Sequence, residues 1–474
     1  MMPRPTFKLL LILTLVFGFA ASASVEGKAV PPRSSEQPNI VVILADDLGY
    51  GDLGYLGSRE IPTPNIDLLV KTGVKCTNGY VSAPYCSPTR AGFLTGRYQQ
   101  RFGHEFNPPD NPGRNIGLPV EEKTIADRLK AAGYVTGLVG KWHLGSAVKF
   151  HPLKRGFDEF FGFLTGAHSY LSQNGDPNKI LRGTRPVDEP TYLTDAFARE
   201  AVSFIKKHKS DPFFLYLSFN AVHTPVEVND GRLARFDAIK DPRRKAYAAM
   251  VSAMDEGIGH VMDSLKAFGL EENTLIFFLS DNGGPTLIGT SVNGAQNGPL
   301  RGSKRTTLEG GIHVPFVVRW KGKLPAGKVY DPPVIQLDIL PTALAAAGQP
   351  VDATAKLDGV NLLPYLKGEK AEAPHDLLYW RLGEQKAIRK GDWKLVRYDV
   401  CVDNPSRRSN ASSIRVTQPK LYNLRDDPGE TNDLSATNPK VVEELRVLWQ
   451  KWCETLAEPI WSPMPSVPAA ALLR

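Results

Sequence analysis

Asn39-Ile40-Val41-Val42-Ile43-Leu44-Ala45 runs without a break into Asp46-Asp47, and the reading of this stretch settles the fold. A continuous apolar run of this length is what a strand buried on both faces looks like. The pattern recurs: Tyr134-Val135-Thr136-Gly137-Leu138-Val139-Gly140 runs into Lys141-Trp142-His143. Phe213 to Phe219 leads through Asn220 to His223, and Leu275-Ile276-Phe277-Phe278-Leu279 leads to Asp281-Asn282. Each of the four ends in charged or metal-capable residues.

Helical patterns lie between these runs: Pro64 to Lys71 closed by Gly73, Thr124 to Ala132 closed by Gly133, and Thr194 to His208 with Thr194 as N-cap. The longest, Pro242 to Phe268, carries Tyr247, Met250, Met254, Ile258, Val261 and Leu265 on one face and stops at Gly269. Strands alternating with helices predict an α/β fold, a large and mostly parallel sheet with helices on both faces. In such sheets ligands bind beyond the carboxyl ends of the strands, which is where these polar residues fall. After Val317 and a helix over Leu337 to Ala347 the texture changes. Short aromatic strands (Leu378-Tyr379-Trp380, Trp393 to Val396, Leu421 to Leu424) alternate with turns such as Arg389-Lys390-Gly391-Asp392, and a helix from Pro439 to Leu456 follows. The expected division is an N-terminal α/β domain over residues 39–370, which carries the chemistry, and a C-terminal subdomain over 371–474, a smaller antiparallel sheet with one helix.

Ahead of the first strand, Arg4 and Lys8 precede the apolar run Leu9 to Ala20 and the small residues Ala21-Ser22-Ala23. This is the pattern of a secretory signal peptide over residues 1–23, with 24–38 as a polar tether. The run is too short to span a membrane and no later stretch is long and uncharged enough, so an exported, soluble protein is expected, periplasmic or extracellular, or in a lysosome-like compartment of a eukaryote. The formal net charge of +7 loses the contributions of Arg4 and Lys8 on cleavage. The remaining mild basicity suits an anionic substrate and equally ordinary solubility charge. No basic run or aromatic-basic array speaks for nucleic acid. Cys76, Cys86, Cys401 and Cys453 are too few for a disulfide framework; if Cys86 is chemically committed, Cys401 with Cys453 is the pair to expect. Asn410-Ala411-Ser412 is a glycosylation sequon, relevant only in a host that glycosylates.

The stretch Cys86-Ser87-Pro88-Thr89-Arg90 reads as a helix start, with Pro88 in the first turn and Gly96 just past the end. Free N–H groups and the macrodipole favour anions beside Cys86, and Arg90, one turn on, can point back at the same spot. Taken alone, the stretch equally suits a small buried thiol with a surface arginine. Asp46, Asp47, Asp281 and Asn282 are all oxygen ligands. Gathered at one sheet edge they suit a hard divalent cation, Ca²⁺ before Mg²⁺, because three carboxylates and an amide supply the larger and looser coordination sphere. Arg90, Lys141, His143, His223 and Lys304 add the cations and proton donors that stabilise a transferring oxyanion group.

Together these motifs resemble those of the formylglycine-dependent sulfatases, an arylsulfatase-type family of the alkaline phosphatase superfamily. The residues that carry the resemblance are Asp46 to Asp52, Cys86 to Arg90 with Leu94-Thr95-Gly96-Arg97, and Gly140-Lys141-Trp142-His143-Leu144-Gly145. Asn220 to Pro225, Ser280-Asp281-Asn282-Gly283-Gly284, and Leu300 to Lys304 with Glu309-Gly310-Gly311 complete them.

The resemblance implies that a formylglycine-generating maturation enzyme oxidises Cys86 to Cα-formylglycine, whose hydrate attacks the sulfur of a sulfate ester. It implies Ca²⁺ on Asp46, Asp47, Asp281, Asn282 and modified Cys86. Arg90 and Lys141 would position the diol, with Asp281 near enough to accept its proton. His223 and Lys304 would hold the sulfate and protonate the departing alcohol, and His143 would take the second hydroxyl's proton so that sulfate is expelled. The expected substrate is a sulfated carbohydrate or an aryl sulfate. Specificity is expected from Gly166-Ala167-His168-Ser169-Tyr170, with His168 as the first candidate for binding a sugar, and from the stretch Gly283 to Gly302. Two other classes share these features: a phosphodiester or phosphonate ester hydrolase using the same modified cysteine, and a non-catalytic glycan-binding protein in which Cys86 stays unmodified.

Overall fold

The structure, a computed structural model, describes residues 1–3, 37–109, 115–171, 178–287, 291–350, 353–404 and 415–461. All but residues 1–3 of the expected signal peptide, nearly all of the tether and the Asn410 sequon lie outside the described residues. The first strand, Asn39–Ala45, is buried at every residue, and its alternate side chains enter two separate cores. Val41, Ile43 and Ala45 share one core with the helices Leu193–Lys207 and Pro242–Ala267. Ile40, Val42 and Leu44 share the other with Cys86–Thr95, Ile125–Ala131 and Ile339–Ala346. Coverage of both faces is why this strand shows no polar alternation.

Among the described residues the large sheet has ten strands. Their spatial order is Lys328–Tyr330, Val74–Cys76, Phe316–Trp320, Thr274–Ser280, Asn39–Ala45, Phe213–Ser218, Val135–Lys141, Glu159–Phe163, Ile180–Arg182 and Arg185–Val187. The block from Thr274–Ser280 to Glu159–Phe163 is parallel throughout. Phe316–Trp320 and Ile180–Arg182 run antiparallel to their neighbours, so the sheet is mixed towards its edges. The register matters most for function: Ala45 stands opposite Ser280, Leu44 opposite Ser218, and Ser218 opposite Gly140. These strands therefore end level with one another.

The second sheet pairs Leu377–Leu382, Gln385–Lys390, Trp393–Arg397 and Lys420–Asn423 in sequence order, all antiparallel. The helix Pro439–Cys453 places Leu445, Trp449 and Trp452 in a core with Trp380, Ile388, Leu395 and Leu421. Both sheets belong to one compact unit spanning Arg33–Arg474, and Trp380 Nε1 donates across to Val81 O at 2.7 Å. No described helix is long and apolar enough to cross a membrane.

Three local expectations are corrected. Thr194 is no N-cap: the helix starts at Leu193 after Tyr192, and Thr194 is buried inside the first turn, where it faces the core. The segment expected to be helical from Leu337 opens as the 3₁₀ turn Gln336–Asp338 and becomes an α-helix only over Ile339–Ala346. No disulfide joins Cys401 and Cys453: the first sits in the partly exposed turn Val400–Val402, while the second is buried in the aromatic core of the C-terminal sheet.

This layering predicts where truncation hurts. Leu215 is fully buried in a central strand and Val329 is 51% exposed on an edge strand. Leu215→Ala should cost about 2–5 kcal/mol in denaturant unfolding and Val329→Ala less than about 1. Equal costs would contradict it.

Candidate active site

Level strand ends put the residues that follow them at one edge of the sheet. Asp46 follows the first strand, Asp281 and Asn282 follow Thr274–Ser280, and Lys141 closes Val135–Lys141. Gly140 makes Lys141's position reachable: its φ is 116°, and a Cβ there would lie 1.8 Å from Ser218 O. No other residue fits so close to the neighbouring strand.

Three buried carboxylates meet three buried cations here. Lys141 Nζ donates to Asp46 Oδ2 at 2.5 Å, and Lys304 Nζ donates to Asp47 Oδ2 at 2.7 Å. Arg90 donates from Nε and Nη2 to Asp281 Oδ2 at 3.0 and 2.8 Å, and its Nη2 stands 3.7 Å from Asp46. Ser218 Oγ accepts from Arg90 Nη1 at 2.5 Å and fixes the guanidinium from behind. Burial alone would raise Asp46, and Lys141, His223 and Arg90 together override it, holding that carboxyl below its usual range. Asp281 is pushed up, by burial and by the charge on Asp46. Burial would lower Lys304, yet Asp47 beside it keeps the ammonium well above its ordinary value.

Cys86 lies at the start of the helix Cys86–Thr95, 1% exposed, with Sγ 3.6 Å from Asp46 Oδ1. Burial pushes its thiol up, despite Lys141 and Lys304 nearby, so unmodified Cys86 is a poor nucleophile. The helix has no cap of its own. Asn107 Oδ1 supplies one from a distant loop by accepting from Ser87 N at 3.0 Å. Ser87 Oγ in turn donates to His143 O at 2.6 Å and meets His104 Nε2 at 2.7 Å, which ties the Cys86 helix to His143. His143 has a left-handed backbone, φ 58°, and a buried Nδ1 without a partner. Burial, then Lys141 and Arg90, lower it well below the usual histidine range. His223 is lowered too, by burial and by Lys304, and its Nδ1 meets Thr224 O at 2.6 Å.

The donor set fits a cation. Asp46, Asp47, Cys86 and His223 each offer a ligand atom, all within 4.8 Å of one another. Asn282 donates from Nδ2 to Asp47 Oδ1 at 2.7 Å and leaves its buried Oδ1 without a hydrogen-bond partner. An acceptor oxygen buried among carboxylates is what a metal would satisfy. Asp281 stands beside the group, one oxygen held by Arg90 and the other accepting from Asp47 N at 3.3 Å.

A cleft of about 430 Å³ opens over these groups, and His143, His223 and Lys304 line it. His168 is not among the residues that line the cleft: it is 3% exposed, packed against the Phe163 ring, and its Nδ1 meets Ser169 O at 2.8 Å. That loop reaches the cleft through Gly166 and Ala167, and the stretch after Gly283 reaches it through Ser291. Tyr85, Asn107 and Arg305 also line it and escaped the sequence reading. Tyr85 and Arg305 adjoin Cys86 and Lys304 in the chain, a signal that was there to use. Asn107 carries none, because its role depends on a loop crossing from elsewhere.

Comparison with known proteins agrees with this geometry. The Sulfatase family profile matches residues 38–349, and the profile N-sulphoglucosamine sulphohydrolase, C-terminal, matches residues 302–455. The chain is 34% identical over 477 residues to N-acetylgalactosamine-6-sulfatase of Sus scrofa, covering 92% of this chain and 87% of that protein. The crystal structure of Ps i-CgsB is similar at a TM-score of 0.82 and 38% identity, covering 90% of this chain and 95% of that one. The same protein in complex with k-i-k-neocarrahexaose matches at 0.82 and 37%, covering 92% and 96%. With the strand-end carboxylates and the Cys86 helix in place, these matches make the chain a member of the sulfatase family of the alkaline phosphatase superfamily, a sulfuric ester hydrolase.

Proposed function

We propose that this enzyme removes sulfate from a sulfated carbohydrate, using a formylglycine made from Cys86 by a maturation enzyme and a calcium ion held by Asp46, Asp47, Asp281, Asn282 and the modified residue. The observation that carries the proposal is the unpartnered Asn282 Oδ1 among buried carboxylates beside Cys86. When present, the hydrated aldehyde supplies a nucleophilic hydroxyl and the calcium ion a Lewis acid for sulfate oxygens.

The chain's own residues do the rest. Arg90 and Lys141 hold Asp281 and Asp46 in place, so that Asp281 can accept the proton of the attacking group. Lys304 and His223, on the cleft wall, hold sulfate oxygens and deliver a proton to the departing alcohol. His143, kept neutral by burial and its cationic neighbours, accepts a proton as sulfate leaves. The sugar rests against Gly166 and Ala167, with His168 supporting that loop from below. An aryl sulfate, which needs none of these sugar contacts, serves as a minimal substrate. The names of the relatives favour sulfate esters over phosphodiesters or phosphonates, and the filled catalytic positions speak against a purely glycan-binding role. Residues 39–370 form the catalytic part, 371–474 support it, and residues 1–23 direct export.

Four measurements test this. Co-production with a formylglycine-generating enzyme should convert residue 86 to the aldehyde, read by mass spectrometry of its peptide. Cys86→Ala should lower turnover of a sulfated sugar by about 10³-fold or more; normal multiple turnover by that variant ends the proposal. Chelation should abolish turnover and calcium restore it. Calcium at 100 times its Kd should add about 2.7 kcal/mol to stability, and Asn282→Leu should weaken that gain. Full restoration by magnesium alone would rule out calcium as the resident ion.

A further inference from the structure

Arg305 is the one exposed arginine or lysine among the described residues that line the cleft. It follows Lys304 directly, and the two side chains share an aromatic neighbour. Lys304 Nζ stands 5.7 Å, and the Arg305 guanidinium 5.8 Å, from the centre of the Tyr85 ring. Their circumstances differ otherwise. Lys304 is 3% exposed and bound to the carboxylate of Asp47, whereas Arg305 makes no ion pair among the described residues. Its backbone is held from two sides: the N–H donates to Pro84 O at 2.7 Å, and the carbonyl accepts from Gln385 Nε2 at 2.8 Å. Its φ of 71° lies in the left-handed region, at a cost on the order of 1 kcal/mol or more for a long side chain. A solvated surface arginine needs neither the anchors nor that conformation.

We propose that Arg305 forms a second anion subsite in the cleft, and that the natural substrate is a saccharide carrying another anionic group, a second sulfate ester or a carboxylate, near the ester that is cleaved. The proposal rests on the sulfatase reading of the cleft. A guanidinium fork matches the oxygen pair of either group, while Tyr85 steadies its plane and offers an aromatic surface to a sugar ring. An exposed ion pair is weak in open water and stronger against the wall of a cleft. Gln385, which pins Arg305, opens a strand of the C-terminal sheet, so that sheet helps to set the specificity of a site built by the other.

The test uses the full-length, formylglycine-containing enzyme with Arg305→Ala and Arg305→Lys. Three substrates are compared: 4-nitrophenyl sulfate, a disulfated disaccharide, and a monosulfated disaccharide bearing a uronate. In Arg305→Ala, kcat/KM for at least one dianionic saccharide should fall about ten-fold further than for the aryl sulfate, mainly through KM, with partial recovery in Arg305→Lys. The saccharide that loses more identifies the second group as sulfate or carboxylate. Equal losses on all three substrates would overturn the proposal. If the wild type cleaves no sulfate ester, the sulfatase reading fails instead, and calorimetry decides the subsite separately. Arg305→Ala should then bind one of the two disaccharides about ten-fold more weakly than wild type, and unchanged affinity for both would overturn it.

Discussion

Asp46 with Lys141, Asp47 with Lys304 and Asp281 with Arg90 form three ion pairs buried at the carboxyl edge of the sheet, and the rest of the structure is arranged to make them possible. Taking such charges out of water costs several kcal/mol each, and loss of one partner leaves a buried charge uncompensated, a penalty of about 3–5 kcal/mol. The six residues come from five separate segments of the chain. No pair can close until the strands stand in register, so the folded sheet is the precondition for the site. The fixed charges of these pairs cancel. A divalent ion added to them would leave an excess of positive charge, which would suit an anionic ester.

Around this centre the supports come from far away in sequence. Asn107 caps the helix of Cys86, and Ser87 ties that helix to the left-handed backbone of His143. The segment carrying Lys304 is anchored to the second sheet through Lys394, fully buried between Glu309 and Glu430 at 2.7 and 2.9 Å. Glu430 also accepts from Glu309 N at 2.6 Å, which holds the start of the turn Glu309–Ile312. The C-terminal sheet is thus part of what positions Lys304, not an appendage.

Much of this was legible in the residues. The four central strands announce themselves because burial on both faces removes polar alternation, and the metal and catalytic candidates follow them directly. Cys86 and Arg90 carry their own helix signals in Pro88 and Gly96. The shorter strands were not legible. Val74–Cys76 and Lys328–Tyr330 are three residues long at one edge of the sheet, and Gln385–Lys390 is polar enough to pass for a loop. The placement of His168 was not legible either, because a loop histidine next to a predicted cleft looks the same in sequence whether it faces the cleft or packs on Phe163.

By itself, the sequence determined the layered α/β plan, the strand ends as the place of chemistry, and the residue types available there, because hydrophobic periodicity and local helix signals act over a few neighbouring residues. Only the tertiary structure decided which carboxylate meets which cation, which loop caps the Cys86 helix, and that Arg305 rather than His168 looks into the cleft. Those choices depend on strand register and on contacts between segments 20 to 257 residues apart, which no local pattern records.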